Sequence, residues 1–269
     1  MRDLSDIQQQ VETALRDFES AFQAMMVSGP LSPEMSSRGM YVSGGKHLRP
    51  MLVFLCAKLF GDINESTHRS ALFVETLHTA TLIHDDIVDG SEERRGAPAL
   101  HVLLDTPTAV LTGDFLLAKS MVLLSNEEDL PLLQEMLTTI LAMSEGEMMQ
   151  RKRQKTEVRS REGYLEVIER KTAMLFRSCC VVGAMSAQAP AEAIPLVAEF
   201  GLNMGLVFQM RDDLLDKDDP ESVAFAEVML PQYLDKAQEP LHLLDSKIKD
   251  RESLNALKDL LFFCAQRSL

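Results

Sequence analysis

Two segments of the chain carry the same spacing of aspartates. Both have the pattern DDxxD, at residues 85–89 and at residues 212–216. On an α-helix, residues four apart share a face, so the first and last aspartate of each segment point the same way. Like charges at this spacing destabilise a helix unless a cation neutralises them, and a hard divalent cation such as Mg²⁺ prefers oxygen ligands. The predicted metal ligands are Asp85, Asp86, Asp89, Asp212, Asp213 and Asp216.

The alternative for these segments is a pair of solvated acidic helix ends. Each segment, however, directly follows an apolar stretch, at residues 81–83 in the first case and 206–208 in the second. Apolar neighbours on the same helix favour a partly buried site over a freely solvated end.

Basic residues cluster locally although the chain as a whole is acidic. The clusters are Lys46 with Arg49, Arg94 with Arg95, and Lys171 with Thr172. The first follows two glycines where a helix would begin, and free N–H groups at a helix start together with two cations form an anion site. Proteins commonly bind Mg²⁺ through a few carboxylates together with substrate phosphates. The aspartates and the cations together therefore predict a diphosphate substrate.

The composition limits the class of protein. The chain has 269 residues, 46% of them hydrophobic and 25% charged, which is typical of a globular protein with a sizeable core. Its net charge of −14 excludes nucleic-acid binding by bulk electrostatics, because an acidic protein repels phosphates. No apolar run reaches the roughly 18 residues needed to span a bilayer, and the four cysteines lack the spacing of a metal site. We expect a cytoplasmic protein with reduced, buried thiols and no transmembrane segment.

Helical periodicity runs through nearly the whole chain, whereas strand-like alternation is almost absent. The predicted helices cover residues 5–26, 50–60, 66–88, 107–124, 131–155, 161–187, 191–215 and 224–269, the last with a break near 245–252. Linkers are short, and no internal repeat is present. The sequence therefore predicts one all-α domain, residues 1–269, in which each aspartate segment lies at the end of a long helix.

The motifs around these residues resemble those of the all-trans polyprenyl diphosphate synthases, the head-to-tail prenyltransferases. The resemblance covers residues 40–219, and its landmarks are GGKHLRP (44–50), LHTATLIHDDIVDGSEERRG (77–96), GDFLLA (113–118), SEGEMMQ (144–150), KTA (171–173) and FQMRDDLLD (208–216). It implies the isoprenoid synthase fold, a bundle of ten or more long helices around a deep central cavity, and a homodimer. The implied enzyme condenses isopentenyl diphosphate with an allylic diphosphate, of farnesyl or geranylgeranyl type. It would release a longer all-trans polyprenyl diphosphate, with a transient membrane contact as an option at product release.

The resemblance also implies a role for each matching residue. The residues that would hold isopentenyl diphosphate are Lys46, Arg49, His78 and Arg95. Asp85 and Asp89 would ligate two Mg²⁺ ions on the allylic diphosphate, and Asp212 would ligate a third. The residues that would contact the allylic substrate are Arg94, Lys171, Thr172 and Gln209. Catalysis would proceed by ionisation, condensation and elimination, and would depend on Asp85, Asp89, Lys171 and Asp212.

Three positions before the first aspartate segment would set product length by the same resemblance: Leu77, Ala80 and Thr81. In the family, bulky aromatics at the positions of Ala80 and Thr81 close the pocket and stop growth at farnesyl length. Small residues here imply a deeper pocket and a product longer than geranylgeranyl. The alternative is that these two residues only let neighbouring helices approach closely.

The chain departs from the family after the second aspartate segment. Family members continue with a GK segment, a second lysine and a TLP turn, whereas here Asp216 is followed by KDDPE (217–221). Either the protein lacks that lid-like segment, or the sequence joins residues on either side of it, which is the interpretation we favour. Lys217 is a candidate to replace one missing lysine.

Two other functions compete with chain elongation. A terpene cyclase also uses an aspartate-rich helix and Mg²⁺, but it does not need the second diphosphate site formed by Lys46, Arg49 and His78. A non-catalytic or lid-deficient subunit of a heterodimeric synthase is favoured by the missing segment. The intact aspartate segments argue against that subunit, since such subunits typically lose aspartates.

Overall fold

The computed structural model describes residues 3–28, 45–153 and 160–267, and these are almost entirely helical. The α-helices are α1 (Leu4–Gln9), α2 (Glu12–Met26), α3 (Leu48–Phe60), α4 (Glu65–Asp89), α5 (Leu100–Leu103), α6 (Thr106–Leu123), α7 (Leu130–Arg153), α8 (Arg161–Ile168), α9 (Met174–Ser186), α10 (Ile194–Asp216), α11 (Pro220–Leu244) and α12 (Arg251–Gln266). A 3₁₀ turn (Glu127–Asp129), a π turn (Glu169–Ala173) and two short strands, β1 (Glu93–Arg94) and β2 (Ala97–Pro98), complete the described elements. The predicted all-α class is confirmed.

Local signals set most of the helix boundaries. The Asn64 side chain caps α4, because it accepts a hydrogen bond from the backbone N–H of Thr67 at 3.0 Å. Gly90 ends the same helix in the left-handed region, with φ of 67°. The predicted helices accordingly begin and end within a few residues of the observed ones. Gly44 and the predicted helix end at Lys155 lie outside the described residues.

The prediction of one helix over residues 5–26 is wrong. The helix breaks at Gln10 and Val11, where Val11 has φ of −133°. The break frees the Gln10 carbonyl, which accepts a hydrogen bond from Lys58 Nζ at 2.9 Å. A contact with α3, distant in sequence, therefore replaces the hydrogen bond that a continuous helix would make.

The helix predicted over residues 161–187 also departs from α-helical geometry, through the π turn at Glu169–Ala173. Neighbouring helices approach this turn at two glycines. A Cβ on Gly146 of α7 would lie 2.5 Å from the backbone nitrogen of Lys171, and a Cβ on Gly205 of α10 would lie 2.6 Å from Ala173 Cα. Since no side chain fits at either place, the turn is held closely between α7 and α10, and this fixes Lys171 and Thr172.

The core lies around α3 and α9, which bury nearly all of their residues. These helices touch closely, because a Cβ on Gly183 would lie 2.3 Å from the Val53 carbonyl oxygen. A smaller buried cluster joins α8, α10 and α11, and includes Tyr164, Ile168 and Met210. Helices that carry the aspartate segments, α4 and α10, both pack against α9 and are thereby fixed relative to each other.

A two-residue hairpin, absent from the sequence prediction, follows α4. Strands β1 and β2 pair antiparallel, with Glu93 opposite Pro98 and Arg94 opposite Ala97. The turn residues Arg95 and Gly96 have φ of 52° and 74°. Two consecutive positive φ angles are the geometry that a tight two-residue hairpin requires. The hairpin directs Arg94 back toward the end of α4, where it contacts Asp86.

Within the described ranges, no individual helix has both the length and the apolar character needed to cross a bilayer. The helices Thr106–Leu123 and Glu127–Arg153 meet those criteria only when taken together, and they are bent by 98° relative to each other.

Candidate active site

A cavity of about 900 Å³ lies among the start of α3, the end of α4, α7, the π turn and α10. The predicted site residues that line it are Lys46, Arg49, Leu77, His78, Thr81, Asp85, Asp89, Arg94, Arg95, Lys171, Thr172, Gln209, Asp212 and Asp216. Asp213 lines an adjoining cavity of about 530 Å³. Ala80 and Asp86 line neither cavity and are each 1% exposed. The fold therefore brings both aspartate segments and all three basic clusters to one place.

Asp85 and Asp89 project from the last turns of α4 into the cavity. Burial raises the pKa of Asp85 to about 6, and the negative charges of Glu147 and Asp89 add to the rise, while Lys171 and Arg94 oppose it. Burial is the main cause of this rise, because it removes water from around the carboxylate. A bound cation would favour the charged form of Asp85.

Glu147, on α7, is a site residue that sequence reasoning missed. Its Oε2 lies 2.5 Å from Lys171 Nζ, and both side chains are largely buried. This ion pair holds Lys171 beside Asp85. Glu147 belongs to the segment SEGEMMQ, which the resemblance included without giving the residue a role.

Asp86 is turned away from the cavity and is ion-paired with Arg94. Arg94 Nε donates a hydrogen bond to Asp86 Oδ1 at 2.9 Å. The pair ties the hairpin to α4, so Asp86 neutralises a cation within the protein. Its predicted role as a metal ligand stays a prediction, one that this placement does not favour.

On the facing helix, Asp212 is ion-paired with Arg267, which follows α12. The Arg267 guanidinium also lies 3.9 Å from the centre of the Phe208 ring, and its Nη2 donates to the Phe208 carbonyl at 3.2 Å. Arg267 lines the cavity, and sequence reasoning missed it. No local pattern near the end of the chain indicates that this arginine reaches α10.

Asp213 is held by neutral donors. Tyr164 OH donates to Asp213 Oδ2 at 2.5 Å, and Gln209 Nε2 donates to Asp213 Oδ1 at 2.9 Å. Thr172 Oγ1 in turn donates to Gln209 Oε1 at 2.8 Å. Burial, with the charges of Asp212 and Asp216, raises the pKa of Asp213, and the two hydrogen bonds act against that rise. The chain of contacts joins α8 and the π turn to α10.

Arg49 and His78 form a half-buried pair at the opposite wall, with Arg49 Nη1 3.0 Å from His78 Nε2. A guanidinium has only N–H donors, so Nε2 accepts and the ring carries its proton on Nδ1. Burial and the charge of Arg49 lower the pKa of His78 to about 3, which keeps the ring neutral at physiological pH. In the structure, His78 orients Arg49 and adds no positive charge. The direct contact with isopentenyl diphosphate implied for His78 stays a prediction.

The remaining cations surround Arg49. Lys46 is exposed at the rim, with its Nζ 5.4 Å from the centre of the Phe263 ring. Arg95 reaches the start of α3, because a Cβ on Gly45 would lie 3.8 Å from its Nη1. This side of the cavity is therefore positive, whereas the α4 and α10 ends are negative.

The family model described as polyprenyl synthetase matches residues 34–224. The chain belongs to the polyprenyl synthetase family. A geranylgeranyl diphosphate synthase of Sulfolobus acidocaldarius is 36% identical over 188 residues, which make up 67% of this chain and 57% of the relative. An all-trans-nonaprenyl-diphosphate synthase (geranyl-diphosphate specific) of Rhodobacter capsulatus is 37% identical over 181 residues, 67% of this chain and 55% of the relative. This chain thus spans less than three fifths of the length of either curated relative.

A solved member of the family has the same fold. The crystal structure of a polyprenyl synthase from Caulobacter crescentus, complexed with calcium and isoprenyl diphosphate, superposes with a TM-score of 0.85 at 26% identity. The match covers 99% of this chain and 98% of that one. The predicted isoprenoid synthase fold, with its helices around a central cavity, is confirmed.

The polyprenyl synthetase family is in general Mg²⁺-dependent, and the donors around the cavity fit this ion. Asp85, Asp89, Asp212 and Asp216 supply carboxylate oxygens, the ligands that a hard divalent cation prefers. Among the residues that the structure describes, no three His, Cys, Asp or Glu side chains converge to form a complete metal site. Because Mg²⁺ takes many of its ligands from substrate phosphates and water, two incomplete carboxylate groups facing one cavity suit a diphosphate complex.

The three predicted chain-length residues separate in the structure. Leu77 and Thr81 line the cavity, with Thr81 Oγ1 donating to the His78 carbonyl at 2.8 Å. Ala80 is packed in the hydrophobic core. A bulky residue at position 80 would overpack the core, whereas position 81 faces the cavity.

The raised pKa of Asp85 has a measurable consequence for stability. The pKa of Asp85 is about 6 in the folded protein and about 3.8, its ordinary value, in the unfolded chain. Stability therefore falls as pH rises between about 4 and 6, by about 1–3 kcal/mol for a shift of this size at a partly open site. We expect Asp85→Asn to raise the melting temperature of the ligand-free protein above pH 6, with the gain shrinking toward pH 4. Asp235→Asn, at an exposed position on α11, should change neither the melting temperature nor its dependence on pH.

Thermal unfolding at a series of pH values measures both variants. A gain for Asp85→Asn that is the same at pH 4.5 and pH 8 would contradict the proposed electrostatic cause.

Proposed function

We propose that this protein is a prenyltransferase that condenses isopentenyl diphosphate with an allylic diphosphate, head to tail, into a longer all-trans polyprenyl diphosphate. One observation carries the proposal: two carboxylate groups on facing helices and a half-buried arginine with further cations share a single cavity. A diphosphate with its metal ions suits the carboxylates, and a second diphosphate suits the cations. Residues 1–269 would act as one catalytic domain.

The carboxylates would hold the allylic diphosphate through Mg²⁺, three ions in all, at Asp85, Asp89, Asp212 and Asp216. When bound, Mg²⁺ would neutralise the leaving diphosphate and so help the allylic C–O bond to break. Lys171, released from Glu147, would contact the same diphosphate. Arg94, Thr172 and Gln209 complete the proposed allylic site, and these groups are already placed before substrate arrives.

The opposite wall would hold isopentenyl diphosphate. Arg49 is oriented by His78 and lies 5.0 Å from the centre of the Phe176 ring, which leaves its remaining N–H groups for a ligand. Lys46 and Arg95 would add two exposed charges. The double bond of this substrate would attack the allylic cation, and the released diphosphate would accept the proton lost from the new chain.

The cation-rich wall also separates this proposal from a terpene cyclase, which has no second diphosphate to bind. A lid-deficient subunit of a heterodimeric synthase is favoured by one feature, the three-residue link between α10 and α11 (residues 217–219). Lys217 is exposed there, with φ of 58°. Its role as a replacement for one lysine of the missing segment stays a prediction. Turnover by the protein alone, without a partner, would exclude the subunit.

The proposed activity is tested with purified protein, labelled isopentenyl diphosphate, farnesyl diphosphate and Mg²⁺. We expect polyprenyl diphosphate from the unmodified protein and a loss of several orders of magnitude in turnover for Asp89→Ala, because the variant lacks a carboxylate for the metal-bound diphosphate. The helix should not lose stability, since the substitution removes a repulsive pair. Asp235→Ala should retain full turnover. Near-normal turnover by Asp89→Ala at saturating Mg²⁺ would contradict the assignment.

We propose that the product is longer than geranylgeranyl diphosphate, since Thr81 is small and the cavity continues past it along apolar side chains. Those side chains are Leu77, Leu117, Ile140, Met143 and Leu175. Thr81→Phe should place a ring in the path of the tail and shorten the product by several isoprene units. Thr81→Val, which keeps the volume, should leave product length unchanged. Reversed-phase chromatography of the dephosphorylated products decides between the outcomes, and an unchanged length for Thr81→Phe would overturn this path.

A homodimer is part of the proposal. Leu130, Leu137, Leu141 and Met148 are exposed on α7 at spacings that place them on one face. Leu111 and Val122, 67% and 70% exposed, add a second apolar strip on α6. Exposed apolar strips of this kind suit burial against a second copy of the chain. We expect a dimer by sedimentation at micromolar concentration, and a monomer for Leu141→Glu; a monomeric unmodified protein would contradict the proposal.

A cytoplasmic location is likewise proposed. It is supported by four cysteines that are all buried and unbonded.

A further inference from the structure

Tyr164 is a buried tyrosine for which the sequence motifs give no role. It lies on α8, outside the aspartate segments, and only 1% of it is exposed. Its ring packs in the small cluster between α8, α10 and α11, with the Phe225 ring centre 5.8 Å away. Its hydroxyl, at the wall of the smaller cavity, donates to Asp213 Oδ2 at 2.5 Å. The Arg153 guanidinium also lies 5.6 Å from the ring centre, so the hydroxyl is the part of Tyr164 that contacts a carboxylate.

The last turn of α10 needs an external restraint. Asp212, Asp213 and Asp216 crowd there, and Asp218 follows closely. The C-terminal end of a helix is itself the negative end of its dipole, so these charges repel both each other and the helix end. Partners on other elements oppose this repulsion: Arg267 pairs with Asp212, and Tyr164 donates to Asp213.

The restraint on Asp213 comes from neutral groups. Both carboxylate oxygens accept hydrogen bonds, one from Tyr164 and one from Gln209. These donors hold Asp213 in place without adding a positive charge beside the cavity. The contrast is with Asp212, which is neutralised by the cationic Arg267.

Tyr164 supplies the only one of these two donors that comes from outside α10. Gln209 lies one turn before Asp213 on the same helix, and a bond within a helix cannot fix that helix relative to its neighbours. The tyrosine hydroxyl does so, since α8 continues directly into the π turn that carries Lys171 and Thr172. The contact thus couples the position of the α10 carboxylates to that of the π-turn residues.

We propose that Tyr164 is a positioning residue of the metal–diphosphate site: its hydroxyl fixes Asp213 and so holds the last turn of α10 with Asp212 and Asp216 directed at the cavity. The proposal rests on the proposed function, because it assigns Tyr164 to the allylic half of that site. Asp213 then serves as a fixed negative charge and an anchor for the turn.

Tyr164→Phe isolates the hydroxyl, because it keeps the buried ring. Tyr233→Phe is the matched control: Tyr233 is a partly buried tyrosine on α11, and its ring lies 4.4 Å from Lys236 Nζ, away from Asp213. The first readout is the affinity for inorganic diphosphate in the presence of MgCl₂. Titration calorimetry measures this affinity and requires no turnover. The second is the steady-state Michaelis constant for each substrate and its dependence on Mg²⁺.

We expect Tyr164→Phe to weaken binding of Mg²⁺–diphosphate on the order of tenfold, as befits one hydrogen bond to a charged group. The Michaelis constant for the allylic substrate and the half-saturating Mg²⁺ concentration should both rise. The Michaelis constant for isopentenyl diphosphate should stay within about twofold of its value in the unmodified protein. In an Asp213→Ala background the same substitution should have no further effect, because the two groups act through one contact. Tyr233→Phe should match the unmodified protein. If Asp213→Ala fails to fold, the comparison of the two tyrosine variants decides alone.

A lower melting temperature for Tyr164→Phe with unchanged affinity for Mg²⁺–diphosphate would overturn the proposal and leave Tyr164 a packing residue. So would an equal rise in both Michaelis constants. If the unmodified protein binds Mg²⁺–diphosphate but transfers no prenyl group, the proposed function fails, and the calorimetric comparison still decides the role of Tyr164.

Discussion

Repulsion between carboxylates is the constraint on which the rest of this site depends. Asp85, Asp89 and Glu147 face Asp212 and Asp216 across one cavity. A protein that keeps so many like charges close together must hold each by other means, since the charges themselves would drive the helices apart. Three kinds of contact hold them. Lys171 forms an ion pair with Glu147, and Arg267, distant in sequence, forms one with Asp212. Asp213 is held by neutral hydrogen-bond donors.

Close packing of the helices also resists the repulsion between these carboxylates. The α4 and α10 ends are both fixed on α9, whose contact with α3 excludes even a methyl group at Gly183. The π turn is closed on two sides by Gly146 and Gly205. Helices that meet backbone to backbone yield little when charge accumulates at their ends. The rigid core and the strained electrostatics are thus two parts of one arrangement, and a neutralising ligand would find the site already shaped.

Some of this could be predicted from sequence, because the relevant signals are local. Asn64 and Gly90 bound α4 by side-chain capping and backbone conformation, and the DDxxD spacing places two aspartates on one face without reference to any other helix. Contacts between distant segments could not be predicted in this way. The break at Gln10 depends on Lys58, and the π turn depends on glycines in α7 and α10. Tyr164, Glu147 and Arg267 reach the site only through the tertiary fold. Ala80 shows the opposite case. Its position near the aspartate segment predicts a side chain in the site, whereas the structure packs that side chain in the hydrophobic core.

The neutral state of His78 makes the two halves of the cavity respond differently to acid. The arginine that His78 orients carries a permanent charge, and the imidazole takes up a proton only near pH 3. Asp85, on the other half, begins to take up a proton near pH 6 in the ligand-free protein. Acidification through about pH 6 therefore neutralises one carboxylate at the α4 end of the empty cavity, while the charge of Arg49 on the opposite wall is unchanged.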